Sequence, residues 1–110
     1  MTQAQRHYNQ GVSLYDSGEY QKAIDEFSQT IKLDPKYVWA YNNRGSSYHK
    51  LGEYERAIED YNRAIELEPR FAQAYASRAS SYFLLKQDHK AIAVSYTHLR
   101  AHETRHDLVC

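Results

Sequence analysis

The chain has 110 residues, which is enough for one domain with one continuous core. Its 14 Lys and Arg residues balance its 14 Asp and Glu residues, so it lacks the basic excess that nucleic-acid-binding proteins carry. No apolar run approaches the roughly 20 residues of a membrane span, and residues 1–6 are too polar for a signal peptide. We therefore expect a soluble cytoplasmic protein that binds neither nucleic acids nor membranes.

In chain order, residues 18–37 are repeated almost position for position by residues 52–71. Each copy begins with a glycine. We predict that a helix A ends at this glycine, and that a short turn leads from it into a helix B. Gly18 and Gly52 are placed to end the A helices, because glycine adopts the left-handed conformation at low cost. Pro35 and Pro69 are placed to close the B helices, because proline cannot continue a helix.

The B helices carry one apolar face, with a small residue where a neighbouring helix must come close. The face consists of Ile24, Phe27 and Ile31, repeated as Ile58, Tyr61 and Ile65, and the small residues are Ala23, Ala57 and Ala91. One hairpin cannot bury such a face alone, so the hairpins must stack on each other.

The pattern resembles the tetratricopeptide repeat (TPR) family, whose helix-turn-helix unit has 34 residues. Besides the alanines and prolines, the resemblance rests on the series Gly11, Gly45 and Ala79 and the series Leu14, Tyr48 and Tyr82. It covers about residues 4–93, as repeats at 4–37 and 38–71 and a partial repeat at 72–93. The resemblance implies an all-α, right-handed solenoid of about three helical hairpins, with the third one degenerate.

The resemblance also implies a non-enzymatic scaffold or adaptor that binds an extended peptide or a partner helix in the concave groove lined by the A helices. A different reading is a structural spacer, the internal part of a longer solenoid, because no polar capping helix follows the last repeat. No cofactor is expected under either reading.

The register of the repeats predicts which side chains face the groove. The main candidates are Tyr8, Asn9, Val12 and Tyr15 in the first repeat, Trp39, Asn42, Asn43, Ser46 and His49 in the second, and Ser77 in the third. Asn9 and Asn43 occupy equivalent positions and are similar to the asparagine ladder of some TPR proteins, where amides bond a peptide backbone. They could equally cap, pack or face water. Trp39 is either an anchor for a ligand or packs between the first and second repeats.

TPR proteins that bind chaperone tails hold the terminal carboxylate with a clamp of lysines, an arginine and asparagines. The corresponding positions here are Tyr8 and Val12 in the first repeat, and Gln73 and Ser77 in the third. Only Asn43 fits the clamp, so the charge-assisted bonds that such a clamp needs are missing.

The repeat pattern stops after Ala93. Back-translated, residues 94–104 resemble a transposase mosaic end followed by a sequencing-library adapter, and residues 107–110 resemble the constant sequence that follows the library index. Our hypothesis is that 94–110 is a non-native tail, into which Tyr96 and Leu99 could extend the last helix. Sequencing the source gene across codon 93 tests it, and a native frame encoding this stretch would refute it.

The tail contains an H-E-x-x-H motif, formed by His102, Glu103 and His106. On a helix this spacing suits a zinc-dependent hydrolase, which is the remote alternative function. We interpret the motif as part of the adapter and expect no metal site. Cys110, in the same tail, is not expected to be a nucleophile.

The end of the array predicts self-association. Tyr82, Leu85 and Ile92 have no fourth repeat to cover them, so this C-terminal face is expected to pair with a second molecule.

Overall fold

The computed structural model describes residues 1–87, and these form five helices. They are α1 (Gln3–Asp16), α2 (Tyr20–Leu33), α3 (Val38–Lys50), α4 (Tyr54–Leu67) and α5, which covers 72–87. No strand occurs in this part of the chain. The predictions made for the second helix of the partial repeat, the tail at 94–110 and the H-E-x-x-H motif lie outside the described residues.

The turns inside the hairpins are built as the glycines predict. Gly18 and Gly52 have φ values of +85° and +80°, in the left-handed region that glycine tolerates best. The N–H of Glu19 donates to the carbonyl of Leu14 at 2.8 Å, and the N–H of Glu53 repeats this bond to Tyr48 at 2.9 Å. These six-to-one bonds are those of a Schellman cap, which satisfies the last carbonyls of α1 and α3.

Within each hairpin, an aromatic ring of helix B lies directly on the backbone of helix A. A Cβ atom added at Gly11 would lie 2.5 Å from the ring of Phe27, and one added at Gly45 would lie 2.8 Å from the ring of Tyr61. Both rings are buried, as are Ala23 and Ala57. The small residues of the A helices therefore set the distance at which α1 meets α2 and α3 meets α4.

Between hairpins, a tyrosine hydroxyl ties each A helix to the turn before it. Tyr41 Oη donates to the carbonyl of Pro35 at 2.9 Å, and Tyr75 Oη donates to the carbonyl of Pro69 at 3.1 Å. The prolines thus end the B helices, which stop at Leu33 and Leu67. Their carbonyls accept the hydrogen bonds from the tyrosines of the next repeat. The chain has 11 tyrosines, and this repeated contact accounts for two of them.

The helices stack in chain order. α1 packs on α2, α2 on α3, and α3 on α4, while α1 also touches α3 directly. α5 reaches α3 through a 2.8 Å contact between Ser81 Oγ and His49 Nδ1. The three A helices α1, α3 and α5 consequently lie side by side and line a common groove.

Candidate functional site

The groove between the A helices contains two neighbouring cavities. The larger one, of about 220 Å³, is called here the Asn43 cavity and is lined by Val12, Tyr15, Asp16, Asn43, Ser46 and Gln73. The smaller one, of about 120 Å³, is called the His49 cavity and is lined by Tyr15, Ser46, His49, Tyr61, Ser77 and Ser80. Tyr15 and Ser46 line both, so the cavities are two parts of one surface.

Six of the ten predicted groove residues come together on this surface. They are Val12, Tyr15, Asn43, Ser46, His49 and Ser77. They are contributed by α1, α3 and α5, which is the arrangement that the repeat register predicts. The remaining four, at positions 8, 9, 39 and 42, line neither cavity.

Asn42 does not face the groove, and its assignment to the groove surface is corrected. Its side chain is fully buried, and its Nδ2 donates to Asn43 Oδ1 at 3.2 Å. The equivalent residue of the first repeat, Tyr8, is only half-buried because no repeat precedes it. In the second repeat the same position is enclosed, since α3 has an A helix on each side.

The two asparagines of the expected ladder have different environments. Asn43 Nδ2 donates to Tyr8 Oη at 2.8 Å, which joins α3 to α1. Burial raises the pKa of Tyr8, and this hydrogen bond offsets part of the rise. Asn9 is exposed and its Nδ2 contacts the sulfur of Met1 at 3.4 Å. Asn43 is therefore already bonded within the protein, and the pair does not present two equivalent amides to a ligand.

Trp39 packs at a different boundary from the one considered in the sequence. Its ring meets that of Phe71 edge-on, with centroids 4.8 Å apart. Phe71 lies between α4 and α5, so Trp39 packs toward the third repeat and not between the first and second. It remains 47% exposed.

His49 is held in place by contacts with α4 and α5. Its Nδ1 lies 2.8 Å from Ser81 Oγ, and its ring packs edge-on against Tyr54 with centroids 5.2 Å apart. Burial lowers the pKa of His49, and the nearby Lys50 lowers it further. The imidazole is therefore neutral at pH 7, and Nε2 is the ring nitrogen left to bond a ligand.

Tyr61 belongs to the site although the sequence placed it only on the apolar face of α4. Its ring is buried on Gly45, but its hydroxyl donates to Ser46 Oγ at 3.3 Å at the floor of the His49 cavity. Burial raises the pKa of Tyr61, so the hydroxyl keeps its proton. The signal in the sequence is the exchange of Phe27 in the first repeat for Tyr61 in the second.

Other kinds of site are not formed by the described residues. Within 1–87, no three His, Cys, Asp or Glu side chains gather as metal ligands. Nor does any helix in that range have the length and apolar character needed to cross a membrane.

Two family models match the chain. One, described as tetratricopeptide repeat, matches residues 38–71, and the other, described as TPR repeat, matches residues 11–52. Together they span residues 11–71, which is more than half of the chain. The chain belongs to the tetratricopeptide repeat family. The all-α hairpin solenoid predicted from the sequence is confirmed.

Solved TPR domains share this fold. The first TPR of Spaghetti (RPAP3), bound to the HSP90 peptide SRMEEVD, has a TM-score of 0.75 and 28% identity over 77% of this chain and 68% of its own. The TPR2B domain of yeast Sti1, in a pHsp70 complex, has a TM-score of 0.75 and 27% identity, covering 83% of this chain and 73% of its own. The second TPR domain of human RPAP3, in complex with the HSP70 peptide SGPTIEEVD, has a TM-score of 0.74 and 28% identity. The match covers 81% of this chain and 74% of its own. No curated protein matches the sequence.

These relatives support a protein-interaction scaffold, in agreement with the function predicted from the sequence. Each of these three domains is in complex with an HSP90 peptide, pHsp70 or an HSP70 peptide. Self-association stays a prediction, although Tyr82 and Phe83 of α5 are 51% and 61% exposed. The cytoplasmic location and the absence of nucleic-acid binding also stay predictions.

Proposed function

We propose that this TPR domain binds an extended segment of a partner protein along the groove between α1, α3 and α5. The observation that carries the proposal is the pair of adjoining cavities, which all three A helices line. An extended segment points every second side chain to the same side, so alternate side chains can enter neighbouring cavities of one rigid surface. The helices that form the surface are fixed by buried aromatic contacts, so little ordering is needed on binding.

The bound segment should differ from the acidic chaperone peptides of the solved relatives. Those peptides, SRMEEVD and SGPTIEEVD, end in Glu-Val-Asp. In this chain the clamp positions hold Tyr8, Val12, Gln73 and Ser77, none of which is a cation. A terminal carboxylate would lose its hydration here without gaining charge-assisted bonds. A segment with little net charge therefore suits the groove best.

The proposal is tested by blocking the groove. The full chain is used to select peptides from a phage-displayed random library, and affinities of the selected peptides are measured by calorimetry. Ser80 is exposed and lines the His49 cavity, so Ser80→Arg should fill that cavity without unfolding the helix. We expect Ser80→Arg to weaken binding at least about tenfold.

The matched control is Gln29→Arg, which adds the same side chain to the exposed face of α2, away from the groove. It should leave the affinities unchanged. If both variants bind as the unmodified chain does, the ligand does not use the groove. If the library yields no peptide at all, the groove proposal fails and the structural-spacer reading is favoured.

A further inference from the structure

The His49 cavity has a uniform chemical character. Each of its lining side chains carries a hydroxyl or an imidazole beside apolar atoms; they are Tyr15, Ser46, His49, Tyr61, Ser77 and Ser80. Within residues 1–87, no Asp, Glu, Lys or Arg lines it. The adjoining Asn43 cavity differs, since Asp16 forms part of its wall. The two parts of the groove should therefore select different side chains.

Two of the residues that line the His49 cavity, Ser46 and His49, are held by hydrogen bonds to buried side chains. Tyr61 and Ser81 are 1% and 0% exposed. Tyr61 Oη donates to Ser46 Oγ at 3.3 Å, and Ser81 Oγ lies 2.8 Å from His49 Nδ1. Because Nδ1 is already bonded, Nε2 is the nitrogen of His49 that remains for a ligand. Among the described residues it has no hydrogen-bond partner.

We propose that the His49 cavity binds an uncharged carboxamide side chain, asparagine or glutamine, of the segment held in the groove. This inference rests on the proposed function and names the side chain that anchors the segment. Its basis is the ring of hydroxyls and one imidazole around a small cavity with no charged lining.

The lining favours a neutral polar group over the alternatives. A carboxamide offers two N–H donors and a carbonyl acceptor, and hydroxyls can act as either. A charged side chain would be desolvated in the cavity without a group of opposite charge in its wall. An aliphatic side chain would leave the wall hydroxyls without the bonds that they make to water.

The volume agrees with a group of this size. An apolar cavity of about 150 Å³ in another protein accommodates benzene, which has six heavy atoms. The His49 cavity, at about 120 Å³, is somewhat smaller. It therefore suits the four heavy atoms of an asparagine side chain or the five of glutamine.

The neutral state of the wall is maintained around pH 7. Burial lowers the pKa of His49 and raises the pKa values of Tyr15 and Tyr61. The imidazole is thus uncharged and both phenols stay protonated, so these three groups add no charge to the wall at this pH.

The test compares three forms of one selected peptide, binding to the full chain. The tightest peptide from the random library is synthesised with its anchoring Asn or Gln unchanged, replaced by Asp or Glu, and replaced by Leu. We expect either replacement to weaken binding at least about tenfold, with replacements elsewhere in the peptide having smaller effects.

The matching change on the protein is His49→Phe with Ser77→Val, which makes the cavity apolar. We expect the preference to invert, so that the Leu peptide binds this variant more tightly than the Asn or Gln peptide does. A merely structural loss would weaken all three peptides alike. Far-UV circular dichroism checks that the helices are retained.

The two proposals fail differently. If the selected peptides carry acidic, basic or aliphatic anchors and Ser80→Arg still weakens their binding, the carboxamide inference is overturned. The proposal that the groove binds an extended segment is then retained. If peptides bind and Ser80→Arg has no effect, or if none binds, the groove proposal and the inference fall together.

Discussion

Arg44 forms a two-pronged ion pair with Asp60 in the interior of the stack. Its Nε and Nη2 each donate to one carboxylate oxygen at 2.8 Å, and the two side chains are 22% and 8% exposed. The remaining Nη1 donates to Ser28 Oγ on α2 at 3.1 Å. A single guanidinium on α3 thus joins both B helices that flank it, which links the first repeat to the second.

Removing the cation should destabilise the fold strongly. In Arg44→Met the carboxylate of Asp60 stays buried without a counter-charge, and such a change costs about 3 kcal/mol or more. Burial raises the pKa of Asp60 even with Arg44 in place, and the Arg44 hydrogen bonds offset only part of the rise. Urea unfolding followed by circular dichroism gives the free energy of unfolding, and an unchanged midpoint would contradict the prediction.

A double variant separates the charge effect from packing. Arg44→Met with Asp60→Leu removes both charges, and we expect it to recover most of the loss, because apolar replacements of a buried ion pair are often neutral or stabilising. Lys22→Met is the surface control. Lys22 pairs with Glu19, three residues away, and both side chains are exposed, so no measurable change is expected.

The hairpins could be predicted from the sequence because their determinants are local. Gly18 and Gly52 mark the turns, and Pro35 and Pro69 mark the helix ends, each at a fixed position in the repeat. The Arg44 network could not be predicted in this way, because it depends on three side chains meeting across three helices. Its signal is visible only afterwards: one repeat later, Arg78 Nη1 donates to Asn62 Oδ1 at 2.8 Å, as Arg44 does to Ser28.

The groove was predictable to the extent that helical register decides which way a side chain points. Val12, Ser46 and Ser77 follow the register and line the cavities. Asn42 does not, because exposure also depends on how many repeats cover a position. The role of Tyr61 was missed because the residue is buried by its ring and reaches the groove only through its hydroxyl.

Gly45 should tolerate no side chain. In Gly45→Ala the new Cβ would lie 2.8 Å from the Tyr61 ring and 3.1 Å from the carbonyl oxygen of Ala57. Alanine gains up to about 1 kcal/mol in helix propensity, but overpacking against a ring and a backbone costs about 1–3 kcal/mol. We expect net destabilisation in urea unfolding, and a more stable variant would show that α4 can shift away without cost.

Two further variants show whether the loss of stability in Gly45→Ala comes from the clash with Tyr61. Adding Tyr61→Leu to Gly45→Ala should make the combined loss smaller than the sum of the two single losses, because the clash is shared. Gly52→Ala meets no atom within 4 Å, but its φ is +80°. Its loss of about 1–2 kcal/mol should come from the left-handed backbone alone, and Tyr61→Leu should not relieve it.

Acidification should weaken the fold through His49. Burial and then Lys50 lower the pKa of His49 below 6.5, so the unfolded chain takes up a proton at higher pH than the folded chain does. The stability contributed by neutral His49 is therefore present above about pH 6.5 and is lost as the pH falls through the lower, folded-state pKa. The groups that face the ring are Tyr54 and Ser81, with Lys50 adjacent.

His49→Gln serves as the comparison for this effect, since glutamine does not titrate. Urea midpoints are measured for both proteins at about pH 7.5 and about pH 5. The unmodified chain should lose more stability on acidification than His49→Gln does. Equal losses in the two proteins would mean that folding does not lower the pKa of His49.

Installing cations in the groove should create affinity for the peptide of the Spaghetti (RPAP3) complex. Gln73 and Ser77 stand at clamp positions on α5 and line the Asn43 and His49 cavities, respectively. We expect the unmodified chain to bind SRMEEVD weakly or not at all, because a carboxylate finds no cation there.

In Gln73→Lys with Ser77→Arg, hydrogen bonds between charged groups contribute about 1.5–3 kcal/mol each, so calorimetry should detect at least about tenfold tighter binding. Amidating the peptide's C-terminus should reduce this gain, and raising the salt concentration should reduce it too. Tight binding of SRMEEVD by the unmodified chain would refute the view that this groove prefers neutral segments, and it would require Asn43 and the groove hydroxyls to hold the carboxylate without a cation.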